Sequence, residues 1–143
     1  MKTATRHRLL YWYLLLFGGV VFSAFFAAAM PGSWMIATAE FFEIDGFPDH
    51  RLTWYLARHL SVVYGMLGVA VLELARDLPR YRALVLKLGW GIVVLGGLQW
   101  WVDLATGMPA IWTYGEAIST AAGGAVIVYL ARGSEEPPAD VDY

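Results

Sequence analysis

Gln99-Trp100-Trp101-Val102-Asp103-Leu104-Ala105-Thr106-Gly107-Met108-Pro109-Ala110-Ile111-Trp112-Thr113-Tyr114-Gly115-Glu116 decides how the chain is read. One long apolar run ends inside it and another begins, with Gly107 and Pro109 punctuating the join. A run, a short break and a second run read as a helical hairpin that turns at a membrane surface. The stretch puts two carboxylates, Asp103 and Glu116, at the mouth of that hairpin. Gln99 and Asp103, four residues apart, share one helical face.

The rest of the chain fits the same frame. Of 143 residues, 59% are hydrophobic and 15% charged. The apolar residues fall into four runs, at about residues 9–30, 53–74, 83–104 and 113–131. At 1.5 Å per residue a run of this length covers about 30 Å, enough to cross the hydrocarbon core. The first run is too long for a signal-peptide core. Lipid supplies no hydrogen bonds to the backbone, so each run must be helical. The chain holds no cysteine, which excludes disulfides, thiolate metal sites and thiol redox chemistry. Its basic residues are few and flank apolar runs, so no nucleic-acid surface is present.

Charge distribution gives the orientation. Apart from Arg51 and Arg58, every Lys and Arg lies at the N-terminus, in or near the link between the second and third runs, or after the fourth. That side is expected to be cytoplasmic, with both termini inside, in a bacterial inner membrane. Residues 31–52 form an outer acidic loop, in which Trp34–Phe42 is apolar enough for a short interfacial helix. Residues 76–82 read as a short basic loop, and residues 133–143 as a disordered acidic tail after a single domain at 1–132.

Sliding the chain on itself by 78 residues aligns Trp12 with Trp90, Gly18-Gly19 with Gly96-Gly97, Met30-Pro31 with Met108-Pro109, and Trp34 with Trp112. A shift of 56 aligns Gly68 with Gly124 and Leu74-Ala75-Arg76 with Leu130-Ala131-Arg132. The expected fold is therefore all-α: an integral membrane four-helix bundle made of two parallel helical hairpin repeats. The first repeat carries an outer insertion of about 22 residues, the difference between the two shifts. Glycines along the runs supply close-approach surfaces, and Trp34, Trp54, Trp100, Trp101 and Trp112 form an aromatic belt at the outer boundary.

The ionisable groups near the outer ends of the helices are the candidates for function. Arg58, His59, Gln99, Asp103 and Glu116 are expected to gather there, with Arg58 paired to Asp103 or Glu116 in bidentate geometry. Such a network either pins the helices together or forms a polar-headed pocket with apolar walls, suited to an amphiphile. For a metal, the candidates are Glu40, Glu43, His50 and His59, with Glu40 and Glu43 spaced i,i+3 for one face of a short helix. Glu73 is expected to pair with Arg76 at i,i+3. Ser61, Ser119 and Thr120 lack a nucleophile's context, and the histidines are not placed at one depth for haem.

The pattern Asp103-x-x-x-Gly107-x-Pro109-x-x-Trp112-x-x-x-Glu116, with four apolar runs and a basic inner loop, resembles the small bacterial membrane proteins grouped as BphX-like and DoxX-like. The resemblance covers the last two helices and implies that Asp103 and Glu116 matter; it carries no common activity. The functional expectation is a non-catalytic membrane protein that binds an amphiphilic or hydrophobic molecule at its outer face, or serves as an accessory subunit of a membrane complex or as a homodimer. The rival is a membrane enzyme or transporter acting on a lipid, quinone or sterol-like substrate through an Arg/His/carboxylate site.

Overall fold

The structure, a computed structural model, describes residues 3–44 and 50–133. Among the described residues the regular elements are all α-helices: α1 Thr3–Phe22, α2 Ala24–Ala29, α3 Gly32–Phe41, α4 Arg51–Arg76, α5 Leu78–Thr106 and α6 Ala110–Arg132. Three stretches are long and apolar enough to cross a membrane: Ala4–Ala29, which joins α1 to α2, then Arg51–Arg76 and Leu78–Thr106. Large apolar side chains project outward along them, among them Leu16 at 68% exposure and Val94 at 59%. Such a surface is costly in water and costs nothing against lipid tails, which marks the chain as a membrane protein.

The helices pair antiparallel, and glycines set how closely. Gly18 faces Leu72, Gly68 faces Phe22 and Gly18, and Gly65 faces Phe25, so α1 and α2 run against α4. A Cβ on Gly68 would lie 2.5 Å from Phe22 Cα and 2.9 Å from the Gly18 carbonyl oxygen, so only glycine fits there. Along α5 and α6, Gly96 faces Ala117 and Ala121, while Gly124 faces Gly89 and Val93. The two pairs meet where the Tyr13 hydroxyl of α1 donates to the Gly123 carbonyl of α6 at 3.2 Å.

The apolar core sits toward one end. Leu10 and Leu14 from α1, Val71 and Ala75 from α4, Leu78, Val85 and Ile92 from α5, and Ile127, Leu130 and Ala131 from α6 form one buried cluster. Basic residues gather at this same end. Arg82 donates from Nε and Nη2 to the Ala131 carbonyl at 3.1 and 3.0 Å, satisfying a C-terminal carbonyl of α6. Arg6 lies over the Tyr129 ring and Arg132 over the Trp90 ring. At the opposite end the buried polar residues are Asp103 and Thr113.

Three boundaries differ from the sequence expectation. The first span begins earlier and runs as one stretch from Ala4 to Ala29, with an irregular turn at Ser23, whose hydroxyl donates back to the Val20 carbonyl at 2.6 Å. Residues 76–82 are not a loop. Asp77 alone separates α4 from α5; its carboxylate accepts from the Arg80 N–H at 3.3 Å, and Pro79 sits in the first turn of α5, where a proline costs no hydrogen bond. The join between α5 and α6 is three residues: Gly107 ends α5 at φ 71°, and Pro109 precedes α6. The acidic tail from residue 134, and residues 45–49 of the acidic loop, lie outside the described residues.

The positions matched at a shift of 78 occupy like places. Gly18 and Gly96 both face a partner helix, and Gly19 and Gly97 both meet nothing within 4 Å. Pro31 (φ −58°, ψ 143°) and Pro109 (φ −55°, ψ 144°) each cap a helix whose third residue is a tryptophan, Trp34 or Trp112. At a shift of 56 the agreement is looser. Gly68 and Gly124 both meet backbone, but the partners of Gly124 lie seven residues, two helical turns, before the counterparts of Gly18 and Phe22.

Candidate functional site

The end opposite the basic cluster carries two separate polar regions, and the expected cluster is divided between them. The first lies between α5 and α6. Gln99, near the last turns of α5, donates from Nε2 to Glu116 Oε1 of α6 at 2.8 Å. Asp103, one turn further along α5, is 7% exposed and lies within electrostatic range of Glu116. Its Oδ2 and the Gln99 Oε1 are both buried without a hydrogen-bond partner. The tight turn that follows holds Asp103 in place: its carbonyl accepts from the Met108 N–H at 3.0 Å and from the Thr106 hydroxyl at 3.2 Å. Beneath that turn Thr113 is buried at 1% exposure.

Glu116 also borders a groove of about 290 Å³ with Phe42, Ile111, Trp112, Gly115 and Ser119. Phe42 and Trp112 meet edge to face at 5.2 Å, which seats the end of α3 against the start of α6. Tyr64, on α4, is within electrostatic range of Glu116. Sequence reading missed Tyr64 and Phe42, because neither is marked by charge or motif.

The second region lies between α2, α3 and α4. A groove of about 670 Å³ is lined by Ala28, Gly32, Arg51, Trp54, Tyr55, Arg58, His59 and Val62. Arg51 and Arg58 are seven residues apart, two turns of α4, so both guanidinium groups serve one face. The Tyr55 and His59 rings stack at 5.4 Å and 19°. Trp54 packs against Gly32, where an added Cβ would come within 3.1 Å of the indole. Sequence reading found Arg58 and His59 here; the spacing of Arg51 to Arg58 is the signal that would have added Arg51.

Arg58 is therefore not paired with Asp103 or Glu116. Among the described residues the ion pair within 4 Å is Glu73–Arg76, at 2.6 Å, in the i,i+3 arrangement expected for it. The reason is rotational. Arg58 lies seven residues, two turns, before Gly65, which packs on Phe25, so Arg58 shares the face of α4 that meets α2.

The structure also separates the metal candidates Glu40, Glu43, His50 and His59. Helix α3 stops at Phe41, so the i,i+3 spacing of Glu40 and Glu43 does not place them on one helical face; Glu43 instead takes the turn at φ 60°. His50 caps α4, its Nδ1 accepting from the Leu52 N–H at 3.2 Å, and His59 is stacked on Tyr55. Among the described residues no three His, Asp or Glu side chains converge as a metal set. Ser119 borders the smaller groove and donates to the Glu116 carbonyl at 3.1 Å, which leaves it no base as partner.

Set against family models, curated proteins and solved structures, the chain matches none.

Proposed function

We propose that the chain is a non-catalytic membrane protein that crosses the bilayer four times and holds an amphiphile with an anionic head in the Arg51–Arg58 groove at its outer rim. One observation carries this reading. Two guanidinium groups, with no ion pair among the described residues, line a groove whose other walls are Ala28, Gly32, Trp54, Tyr55, His59 and Val62. A guanidinium is costly near a bilayer unless an anion meets it, and a phosphate or carboxylate head fits its planar donors. Apolar walls beside such a head suit a chain or ring.

The fourth crossing is α6. It has 23 residues, about 34 Å of helix, and runs beside α5 from Ala131 to Glu116. With four crossings the basic end faces the cytoplasm, which holds both termini, and the groove opens on the outer face of a bacterial inner membrane. Duplication of a hairpin accounts for the agreement at a shift of 78, with an insertion of about 22 residues, lying after Trp34 and before Gly68 and including the acidic loop, setting the two halves apart. The likeness to the BphX-like and DoxX-like group rests on the Asp103 to Glu116 turn and assigns no activity.

Native mass spectrometry of protein extracted gently from its own membrane tests the reading. A retained anionic amphiphile, lost in the Arg51→Gln/Arg58→Gln double variant, is the expected result. A folded monomer with nothing bound, in wild type and variant alike, contradicts it. A docking role, as an accessory subunit or homodimer, is favoured by outward-facing Gly19, Gly91 and Gly97, around which nothing lies within 4 Å; companion subunits in the same spectrum would support it. An enzyme or transporter using Arg58, His59 and the carboxylates together would need them in one site, and α4 turns Arg58 away from Asp103 and Glu116.

A further inference from the structure

The carboxylate region has a feature that amphiphile binding does not use. Asp103 Oδ2 and Gln99 Oε1 are buried acceptors on one face of α5, and neither has a donor. Gln99 commits its amide nitrogen to Glu116, so its carbonyl oxygen is left over, one turn along α5 from Asp103. Asp103 and Glu116 together bring two negative charges, and no cation pairs with either among the described residues. Glu116 is partly exposed and accepts from Gln99, but the buried Asp103 has no cation beside it, and each orphaned buried acceptor adds to the cost.

We propose that Gln99, Asp103 and Glu116 form a binding site for a hard divalent cation, calcium above all. The donors are two carboxylates and an amide carbonyl, all oxygens, the set that hard cations take. A charge of +2 balances the pair, and calcium accepts irregular oxygen geometry and carbonyl ligands more readily than magnesium does. The ion reaches the site by way of Glu116, which borders the groove shared with Trp112 and Phe42. With only three side-chain oxygens, water completes the coordination, and the affinity belongs to the millimolar range of weak extracellular calcium sites, about 0.1–1 mM. The ion would lock α5 to α6 at the outer end, where the apolar core does not reach.

The test uses the full chain in detergent or nanodiscs. Melting is followed in CaCl2, MgCl2 and choline chloride at equal ionic strength, and calcium binding is measured by titration calorimetry. The expected result is saturable binding of one calcium, a melting temperature that rises with calcium more than with magnesium, and binding weakened about tenfold or more in Asp103→Asn and Glu116→Gln. If either variant fails to fold, terbium is added to wild-type protein and to Trp112→Phe. Sensitised emission in wild type that calcium displaces and that falls in Trp112→Phe supports the site. No binding, or binding unchanged in Asp103→Asn, overturns it. Stabilisation by acid alone, with no added effect of calcium, overturns it as well, because protons would then neutralise the pair.

Discussion

The two helical pairs differ most at the ends away from the basic cluster. In α5–α6 the join is three residues long, the helices stay packed to their tips, and the polar groups Gln99, Asp103 and Glu116 are enclosed between them. In α1–α2–α4 helix α3 stands between the two arms of the pair, and the corresponding end is open as a groove lined by Arg51 and Arg58. Toward the basic end both pairs rest on glycine contacts and feed one apolar core. A short link goes with an acidic region between α5 and α6, where Asp103 Oδ2 and Gln99 Oε1 are buried without partners; a long link goes with an open basic groove, where Arg51 and Arg58 have no ion pair among the described residues.

Replacements at glycine should give the largest effects and test the shared half of the comparison. Gly68→Ala and Gly124→Ala drive a methyl group into backbone in either pair, and each is expected to lower stability by about 1–3 kcal/mol in a reversible unfolding assay in detergent. Gly19→Ala and Gly97→Ala, at the matched open positions, are expected to be neutral or to raise stability by up to about 1 kcal/mol through helix propensity. Equal losses at all four would remove the distinction between packed and open faces.

Asp103→Asn addresses the closed region. In chelator-treated protein it removes a negative charge beside Glu116 and supplies an amide donor for Gln99 Oε1, so stability is expected to rise by about 1 kcal/mol. A loss of similar size would mean that Asp103 has a cationic partner. Tyr13→Phe addresses the seam between the pairs. Losing its bond to the Gly123 carbonyl should cost about 0.5–1.5 kcal/mol. Arg51→Gln and Arg58→Gln address the open region and should move stability by no more than about 0.5 kcal/mol while reducing retention of an anionic amphiphile.

Depth along the helices was legible in the sequence; rotation about them was not. Counting residues along apolar runs located the helices, set Gln99 and Asp103 at the level of Glu116, and brought the basic residues to one end. The Glu73–Arg76 pair follows from that counting, whereas the Gln99–Glu116 bond takes the place of the pairing expected with Arg58. Arg58 shares the depth of Asp103 but not its azimuth. Azimuth depends on which face of α4 meets α1, and that is decided by Gly65 and Gly68, residues whose meaning emerges only once the partner helix is known. The link at Asp77 was legible and overlooked, since an aspartate two residues before a proline is a helix start. The irregular turn at Ser23 was hidden, because a serine within an apolar run shows one only through the bond its hydroxyl makes.

The independence of the two outer regions is the claim on which the rest stands. A double-mutant cycle between Arg58→Gln and Asp103→Asn, read as unfolding free energy in chelator-treated protein, measures it directly. Separate regions require the two changes to add within about 0.5 kcal/mol; a coupling of about 1.5 kcal/mol or more would place Arg58 and Asp103 in one network and contradict the division.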